Sequence, residues 1–485
     1  MSGFEGKNFI GGEWRPASSG RRFEQRNPAF LHEVTGTFAD SAAADIDAAV
    51  VAAQAAFPAW RALSPLKRKA HLDKALRAMS ARRDEIAAAI TRENGKALRE
   101  ARGEVDSAIK EMDYQIAEGV RLCGQTVPVE VDGTLAYSTR EALGPVALVT
   151  PWNFPFNVPC RKATPALMGG NTVVLKPASL TPRTALLFTE LLADGGLPPG
   201  VVNCVTGGGG TVGAALVGDT RIKAISFTGS TPVGKSIHLA AARNLTPTQL
   251  EMGGKNPAIV LPDADLDLAV AEIVKGAFAC SGQWCTSTSR VIVLEEIAAE
   301  LTQRLVAAAS ALVVRDGATE DCGMGPVCGA KQKADILEHI AKGRAEGARL
   351  LTGGSALAGE DYDHGCFIAP TVFDRVTRGM SVARDEIFGP VLVIMVVRSF
   401  EEAVETANDV AYGLSSSIFT NDLKRALTYM ERAEVGLAHV NLMSALKEPQ
   451  LSFGGVKESA AGLPEAGSSG IEFFTHHKVC YVKYR

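Results

Sequence analysis

The sequence is poor in the features that mark most non-enzymatic classes. It has no surplus of positive charge: 50 Lys and Arg against 54 Asp and Glu leave a formal net charge of −4 and a pI near 6.1. A nucleic-acid-binding chain needs a basic footprint, so that partner class is excluded. No stretch approaches the ~20 apolar residues that cross a bilayer. The opening Met1-Ser2-Gly3-Phe4-Glu5-Gly6-Lys7 lacks the apolar core of a secretory signal. No membrane partner is expected, and cytoplasm is the expected compartment. The nine cysteines stand at 123, 160, 204, 280, 285, 322, 328, 366 and 480, without one Cys-x-x-Cys pair. Their odd count argues against a disulfide framework. The spacings of Cys280, Cys285, Cys322 and Cys328 match no common zinc pattern, so no metal is expected. Aromatics are scarce at 6%, yet 46% of the chain is apolar, which describes a soluble α/β protein rather than a disordered one. At 485 residues the chain exceeds one simple core, so two or three domains are expected.

What is present alternates. Short strands and turns occupy residues 8–38. A helical pattern begins at Ser41, the expected N-cap, and Ser64-Pro65 opens another, with alternating charge continuing helically to about Gly119. Residues 125–142 predict a β-hairpin around Asp132-Gly133. Strands are then expected at 146–150, 172–176, 201–205 and 224–227, separated by helices, the signature of a parallel sheet that hosts dinucleotides. Two glycine turns compete for phosphates. Gly208-Gly209-Gly210-Thr211-Val212-Gly213 fits G-x-G-x-x-G but lacks an acidic residue about 20 positions on. Gly229-Ser230-Thr231-Pro232-Val233-Gly234 also links a strand to a helix, with backbone N–H groups free for an anion. A second β/α series runs from about 254 to 440. Ile471-Glu472-Phe473-Phe474 and 479–484 predict a strand-like tail that completes the hairpin's sheet.

Candidate chemistry is concentrated between Thr248 and Arg290. Glu251 stands in Leu250-Glu251-Met252-Gly253-Gly254-Lys255-Asn256-Pro257, and 34 positions later Cys285 stands in the small polar turn Ser281-Gly282-Gln283-Trp284-Cys285-Thr286. A thiol nucleophile and a carboxylate base suit a reaction that forms a thioester and hydrolyses it. Taken alone, such a pair is more often a structural thiol and a surface acid. Cys280 reads as a packed core thiol, with a reversible disulfide to Cys285 as the alternative.

Six segments decide between these readings: Pro151-Trp152-Asn153-Phe154-Pro155, Leu175-Lys176-Pro177-Ala178-Ser179, Phe227-Thr228-Gly229-Ser230-Thr231, the Glu251 and Cys285 runs, and Glu386-Ile387-Phe388-Gly389-Pro390. In this order and spacing, over essentially the full length, the chain resembles the aldehyde dehydrogenase superfamily. The resemblance implies a Rossmann-type coenzyme domain over 1–124 and 143–253 and an α/β catalytic domain over 254–465. It also implies a bridging hairpin and tail, 125–142 and 466–485, that build a homodimer or homotetramer. It implies NAD- or NADP-dependent oxidation of a small-molecule aldehyde, with Cys285 as nucleophile, Asn153 as oxyanion donor and Glu251 as base. The presence of a glutamate at 251 favours release of the acid by water over transfer to coenzyme A. The coenzyme residues implied are Thr150, Pro151, Trp152, Lys176, Ser179, Phe227, Gly229, Ser230, Gly234, Glu251, Glu386 and Phe388, with Gly209 and Gly213 from the competing turn.

Ser179 stands where NAD-selective members often carry a glutamate that repels a 2′-phosphate, so NADP is expected to be accepted. Arg161 lies eight residues after Asn153, where enzymes acting on succinate semialdehyde carry a carboxylate-binding arginine. Their second arginine is Ala279 here, and Lys447 is the candidate replacement. Trp284 narrows the pocket. The run Gly467 to Thr475 looks more like 2-oxoglutarate semialdehyde (2,5-dioxopentanoate) dehydrogenases. The alternatives are a broad enzyme for uncharged aldehydes, with Arg161 merely paired to a helix-face acid, and a non-catalytic binding protein on the same fold. The presence of Cys285, Glu251, Asn153 and Lys176 together speaks against the second.

Overall fold

The computed structural model describes residues 4–485; the sequence-based expectations that fall on Met1–Gly3 lie outside them. Two large sheets organise the chain. The first has eight strands. Its middle five run parallel in the order Thr248–Glu251, Ala224–Thr228, Pro145–Val149, Thr172–Lys176, Val202–Cys204. These strands are apolar and buried on both faces, as strands sandwiched between helical layers must be. The chain winds outward from Pro145–Val149 to Val202–Cys204, then returns to place Ala224–Thr228 on the other flank of Pro145–Val149. That reversal opens a crevice beyond the carboxyl ends of the two strands, where Thr150-Pro151 and Gly229-Ser230 lie.

Strand Thr248–Glu251 leads through Met252 to Lys255 into Asn256–Val260, a middle strand of the second, seven-stranded sheet. Asn256–Val260 pairs in parallel with Thr288–Leu294 and with Ser415–Phe419. Glu251 therefore ends one sheet, while Cys285 sits just before a strand of the other. The 23-residue helix Leu98–Val120 packs over the first sheet with Asn157–Met168 and contributes to the gap between the sheets.

The expected hairpin is present. Thr126–Val127 pairs antiparallel with Thr134–Ala142, whose other edge is taken by the tail Thr475–Lys483 over nine registered pairs. The tail is shorter than expected. Ile471-Glu472-Phe473-Phe474 is not strand: Gly467–Phe473 is a helix, because Ile471, Phe473 and Phe474 pack together into the core beneath Leu98–Val120. A four-residue apolar run has no periodicity to separate the two outcomes. Ser64 caps Pro65–Ala81 as expected. Ser41 does not cap the helix Ala43–Ala62. Its hydroxyl accepts from Asn8 Nδ2 at 2.7 Å, and the cap is Ala42, whose N–H donates to Asp45 at 2.9 Å. A carboxylate in the first turn satisfies the open N–H groups as a serine would.

Candidate active site

A cavity of about 750 Å³ lies between the two sheets, and Cys285 is on its wall. The loop that presents the thiol bends through three successive left-handed residues, Cys280 (φ 51°), Ser281 (φ 58°) and Gly282 (φ 69°). A side chain in that region costs of order 1–3 kcal/mol, so the bend persists only under outside restraint. The restraints are specific. Cys280 N–H donates to Glu100 at 2.9 Å and Ser281 Oγ donates to the Gly325 carbonyl at 2.7 Å. Asn256 Nδ2 donates to the carbonyls of both Cys285 (2.8 Å) and Ser287 (2.9 Å). Gly282 admits no side chain, since a Cβ there would run into the Gly389 carbonyl.

Asn153 sits across the thiol on the loop after Pro145–Val149. Its Nδ2 donates to the Gln283 carbonyl at 3.1 Å, which brings the amide to the Cys285 loop. The loop is pinned from below by a fully buried pair. Lys96 Nζ donates to Glu104 at 2.7 Å and to the Asn153 carbonyl at 2.6 Å, and lies 4.1 Å from the centre of the Phe154 ring. Glu104 in turn accepts from Phe156 N–H (2.9 Å) and Asn157 N–H (3.1 Å), at the start of Asn157–Met168.

Three glutamates surround the thiol. Glu251 is buried behind the cavity wall, beside Gly454, and its Oε2 has no hydrogen-bond partner among the described residues. Burial and the neighbouring Glu465 push its carboxyl well above the usual range. Glu465 is on the wall itself. Its carboxylate contacts Lys162 Nζ and accepts from Thr228 Oγ at 3.1 Å. Glu386, also on the wall, accepts from Gly254 N–H at 3.1 Å. Burial, then the Glu386 charge, push the Cys285 thiol up to about 12.

Arg161, which is 6% exposed, also stands on the cavity wall, close enough for its charge to act on the Cys285 thiol. Its Nε donates to both oxygens of Glu111 (3.2 and 3.1 Å), its Nη2 donates to Asn157 Oδ1 at 2.8 Å, and its Nη1 lies 3.7 Å from Glu465 Oε2. Phe453 lies against the guanidinium, 4.8 Å to the ring centre. Lys447 also lines the cavity and contacts the same Glu111 carboxylate. Arg161 is thus paired with acids and lines the cavity at once. Trp284 forms part of the wall and packs on Phe154 at 5.1 Å.

The profile of the Aldehyde dehydrogenase family matches residues 14–480. The chain belongs to the aldehyde dehydrogenase family. Among curated proteins it is 43% identical over 476 residues to the alpha-ketoglutaric semialdehyde dehydrogenase of Bacillus subtilis, covering 98% of each chain. It is 40% identical over 482 residues to human retinaldehyde dehydrogenase 3, covering 98% of this chain and 93% of that one. Among solved structures, a putative aldehyde dehydrogenase from Burkholderia cenocepacia superposes with a TM-score of 0.97 at 34% identity, covering 99% of this chain and 98% of that one. This aldehyde dehydrogenase is accordingly an NAD(P)-dependent oxidoreductase.

The crevice suits a dinucleotide. Pro151, Trp152, Phe227, Gly229, Ser230, Glu386 and Phe388 line the cavity where it meets the strand reversal, with Trp152 edge-on to Phe388 at 5.3 Å. Ser230 precedes the helix Thr231–Ala242 without using its side chain as a cap, so the first N–H groups are open to an anion. Thr150, just beyond its strand, has a buried hydroxyl with no partner among the described residues. Lys176 is buried at the end of its strand and, among the described residues, has no carboxylate or hydrogen-bond partner; burial lowers its ammonium to about 8. An orphaned cation and an orphaned hydroxyl fit a polar coenzyme that supplies acceptors. Gly234 packs against Met252 and Phe227, where a side chain would collide. Gly209 and Gly213 lie off the cavity wall, in one wide turn that opens the helix Ala214–Gly218. Ser179 Oγ donates to the Gly207 carbonyl at 2.9 Å.

Sequence reasoning missed Lys96, Glu104, Glu111, Asn157, Lys162, Asn256 and Glu465. One signal was there for Glu104 and Glu111. They fall seven apart, on the buried face that carries Ala101, Val105, Ala108 and Met112, and an acid on an apolar stripe needs a partner.

Proposed function

We propose that this enzyme oxidises a small ω-carboxylated semialdehyde to the dicarboxylic acid. The observation that carries the proposal is the cluster of charges around Arg161 on the cavity wall. Three cations, Arg161, Lys162 and Lys447, meet two carboxylates, Glu111 and Glu465, while burial and Glu465 raise the carboxyl of Glu251 beside them. Arg161 and Lys447 both line the cavity and keep N–H groups beyond those used on Glu111 and Asn157, so the wall offers charged donors to an anionic group. The relatives named for alpha-ketoglutaric semialdehyde support the same substrate class.

In the proposed mechanism Cys285 attacks the aldehyde carbon, and Asn153 Nδ2 with the Cys285 N–H holds the developing oxyanion. Losing one such donor typically costs ~10²–10³ in rate. The nicotinamide coenzyme, when bound, supplies the oxidant that turns the sulfur adduct into a thioester. Glu251 then turns from behind the wall to take a proton from the water that releases the acid. Because burial raises the Cys285 thiol to about 12 and raises the Glu251 carboxyl as well, turnover rises as the pH is raised. With Ser179 in place of a repelling carboxylate, NADP is accepted as well as NAD. The hairpin sheet, with Val479, Tyr481, Val482 and Tyr484 exposed on its open edge, is the proposed surface for forming a homodimer or homotetramer.

Absorbance at 340 nm with 2,5-dioxopentanoate, succinate semialdehyde and propanal, each with NAD and NADP, tests this. Higher kcat/KM for the two anionic substrates supports it. A preference for propanal favours the second reading, a broad dehydrogenase of neutral aldehydes, which the existing pairing of Arg161 with Glu111 allows.

A further inference from the structure

The two loops that carry the reacting groups hang from one helix. On the Asn153 side the anchor is Glu104, which holds Lys96 on the Asn153 carbonyl and accepts from the Phe156 and Asn157 N–H groups. On the thiol side the anchor is Glu100, one turn earlier on the same helix, Leu98–Val120. Glu100 divides its carboxylate between two donors. Its Oε2 accepts from Ala97 N–H at 3.1 Å, at the start of its own helix, and its Oε1 accepts from Cys280 N–H at 2.9 Å, 180 residues along the chain. Closing the helix start needs only the first of these bonds. The neighbouring cations are engaged elsewhere: Lys96 is on Glu104, and Arg99 donates to the Cys322 and Gly323 carbonyls at 2.7 Å each.

The second bond reaches the chemistry by a short route. Cys280 opens the left-handed bend, and its carbonyl accepts from Gln283 N–H at 3.1 Å and from Gln283 Nε2 at 3.2 Å. The Gln283 carbonyl, two residues before the thiol, accepts in turn from Asn153 Nδ2 at 3.1 Å. A left-handed bend persists only where its surroundings hold it, and Glu100 holds the first residue of this one. We propose that Glu100 is a positioning residue for the oxidation, holding the Cys285 loop through the Cys280 N–H at the spacing from Asn153 that the oxyanion requires. One helical turn, from Glu100 to Glu104, then fixes both loops against each other. Such spacing matters because a displacement of about 1 Å at a reacting centre can cost ~10²-fold in rate. The inference rests on the reading of Cys285 and Asn153 as nucleophile and oxyanion donor.

Glu100→Asp separates the two bonds. An aspartate here keeps the charge and serves the helix start, but its shorter side chain cannot also reach Cys280. In the full-length enzyme kcat for aldehyde oxidation is expected to fall about 10-fold or more. Coenzyme Kd, and the rate of Cys285 alkylation by iodoacetamide, which needs no oxyanion donor, are expected to stay at their wild-type values. Wild-type kcat in this variant overturns the proposal and leaves Glu100 as a helix cap alone. A fall in all three quantities together also overturns it, being the mark of a loosened fold. Ser281→Ala releases the same bend from the Gly325 carbonyl and keeps the test open should Glu100→Asp not fold. It is expected to show the same split, and wild-type kcat there shows that the placement of the bend is immaterial and overturns the proposal. Asn153→Ala is the last check. Alone it is expected to lower kcat by ~10²–10³. Adding Glu100→Asp should then cost far less than it does in the wild type, because the amide being positioned is gone. An equal factor in both backgrounds overturns the proposal. If Asn153→Ala turns over like the wild type, the oxyanion reading falls and this one with it.

Discussion

Two buried cations flank the active site, and they differ in what burial has been offset by. Arg161 has two carboxylates, Glu111 and Glu465, and a guanidinium shaped to hold several acceptors at once. Lys176 has none among the described residues, and desolvation brings its ammonium down to about 8. Arg161 is therefore part of the fabric of the protein as well as of its cavity. Lys176 carries an unoffset desolvation cost that a ligand supplying oxygens relieves. Stability and binding should separate along this line.

The largest expected effect is on stability. Arg161→Met leaves two buried carboxylates sharing fewer cations, and breaking such a pair typically costs about 3–5 kcal/mol. The midpoint of chemical denaturation should fall clearly, and adding Glu111→Gln should restore part of the loss. Lys176→Met should leave that midpoint unchanged or raise it near pH 7, since the variant removes an uncompensated buried charge. An equal fall in both variants would break the comparison.

Binding sharpens it in the opposite direction. Lys176→Met should raise KM for the coenzyme about 10-fold, the size of one lost charge-assisted hydrogen bond. Ser179→Glu should reduce kcat/KM with NADP by about 10-fold and barely alter NAD, by charge repulsion of the 2′-phosphate. Unchanged NADP use would remove Ser179 from coenzyme selection.

The smallest effects lie in the pH dependence. Lys176 and Lys447 are both lowered to about 8 by burial, so each is charged below that pH and loses its charge above it. Coenzyme affinity should weaken a few-fold as the pH rises through 8, with Lys176→Met flattening that profile. KM for an ω-carboxylated aldehyde should rise over the same range, flattened by Lys447→Met, while KM for propanal stays level. Around Lys447 the charges are Glu111, Arg161 and Glu465, all held in the cluster, which leaves the lysine as the group that titrates there.

Much of the scaffold was legible along the chain. The buried strands from Pro145 to Thr228, the Asp132-Gly133 hairpin and the Ser64 cap each depend on neighbours a few residues away. The misses mark where that locality ends. Ser41 lost its cap role to an acid four positions on, and the Ile471–Phe474 run became helical because a distant helix offered a surface for its side chains. Of the residues implied by family resemblance as catalytic, Cys285 and Asn153 line the same cavity, with Asn153 bonded to the Gln283 carbonyl two residues before the thiol, whereas Glu251 is not among the wall residues.

The sequence by itself determined the order of strands and helices, the two-sheet architecture and a cysteine on a glycine-bearing turn, because periodicity, turn chemistry and motif spacing are local properties. Only the tertiary structure decided how the buried charges are shared. Lys162 and Glu465 are 303 residues apart, and Lys447 and Glu111 are 336 apart. The strength and selectivity of a cation depend on which acids fold against it and how much water they exclude, and no local pattern in the chain encodes that.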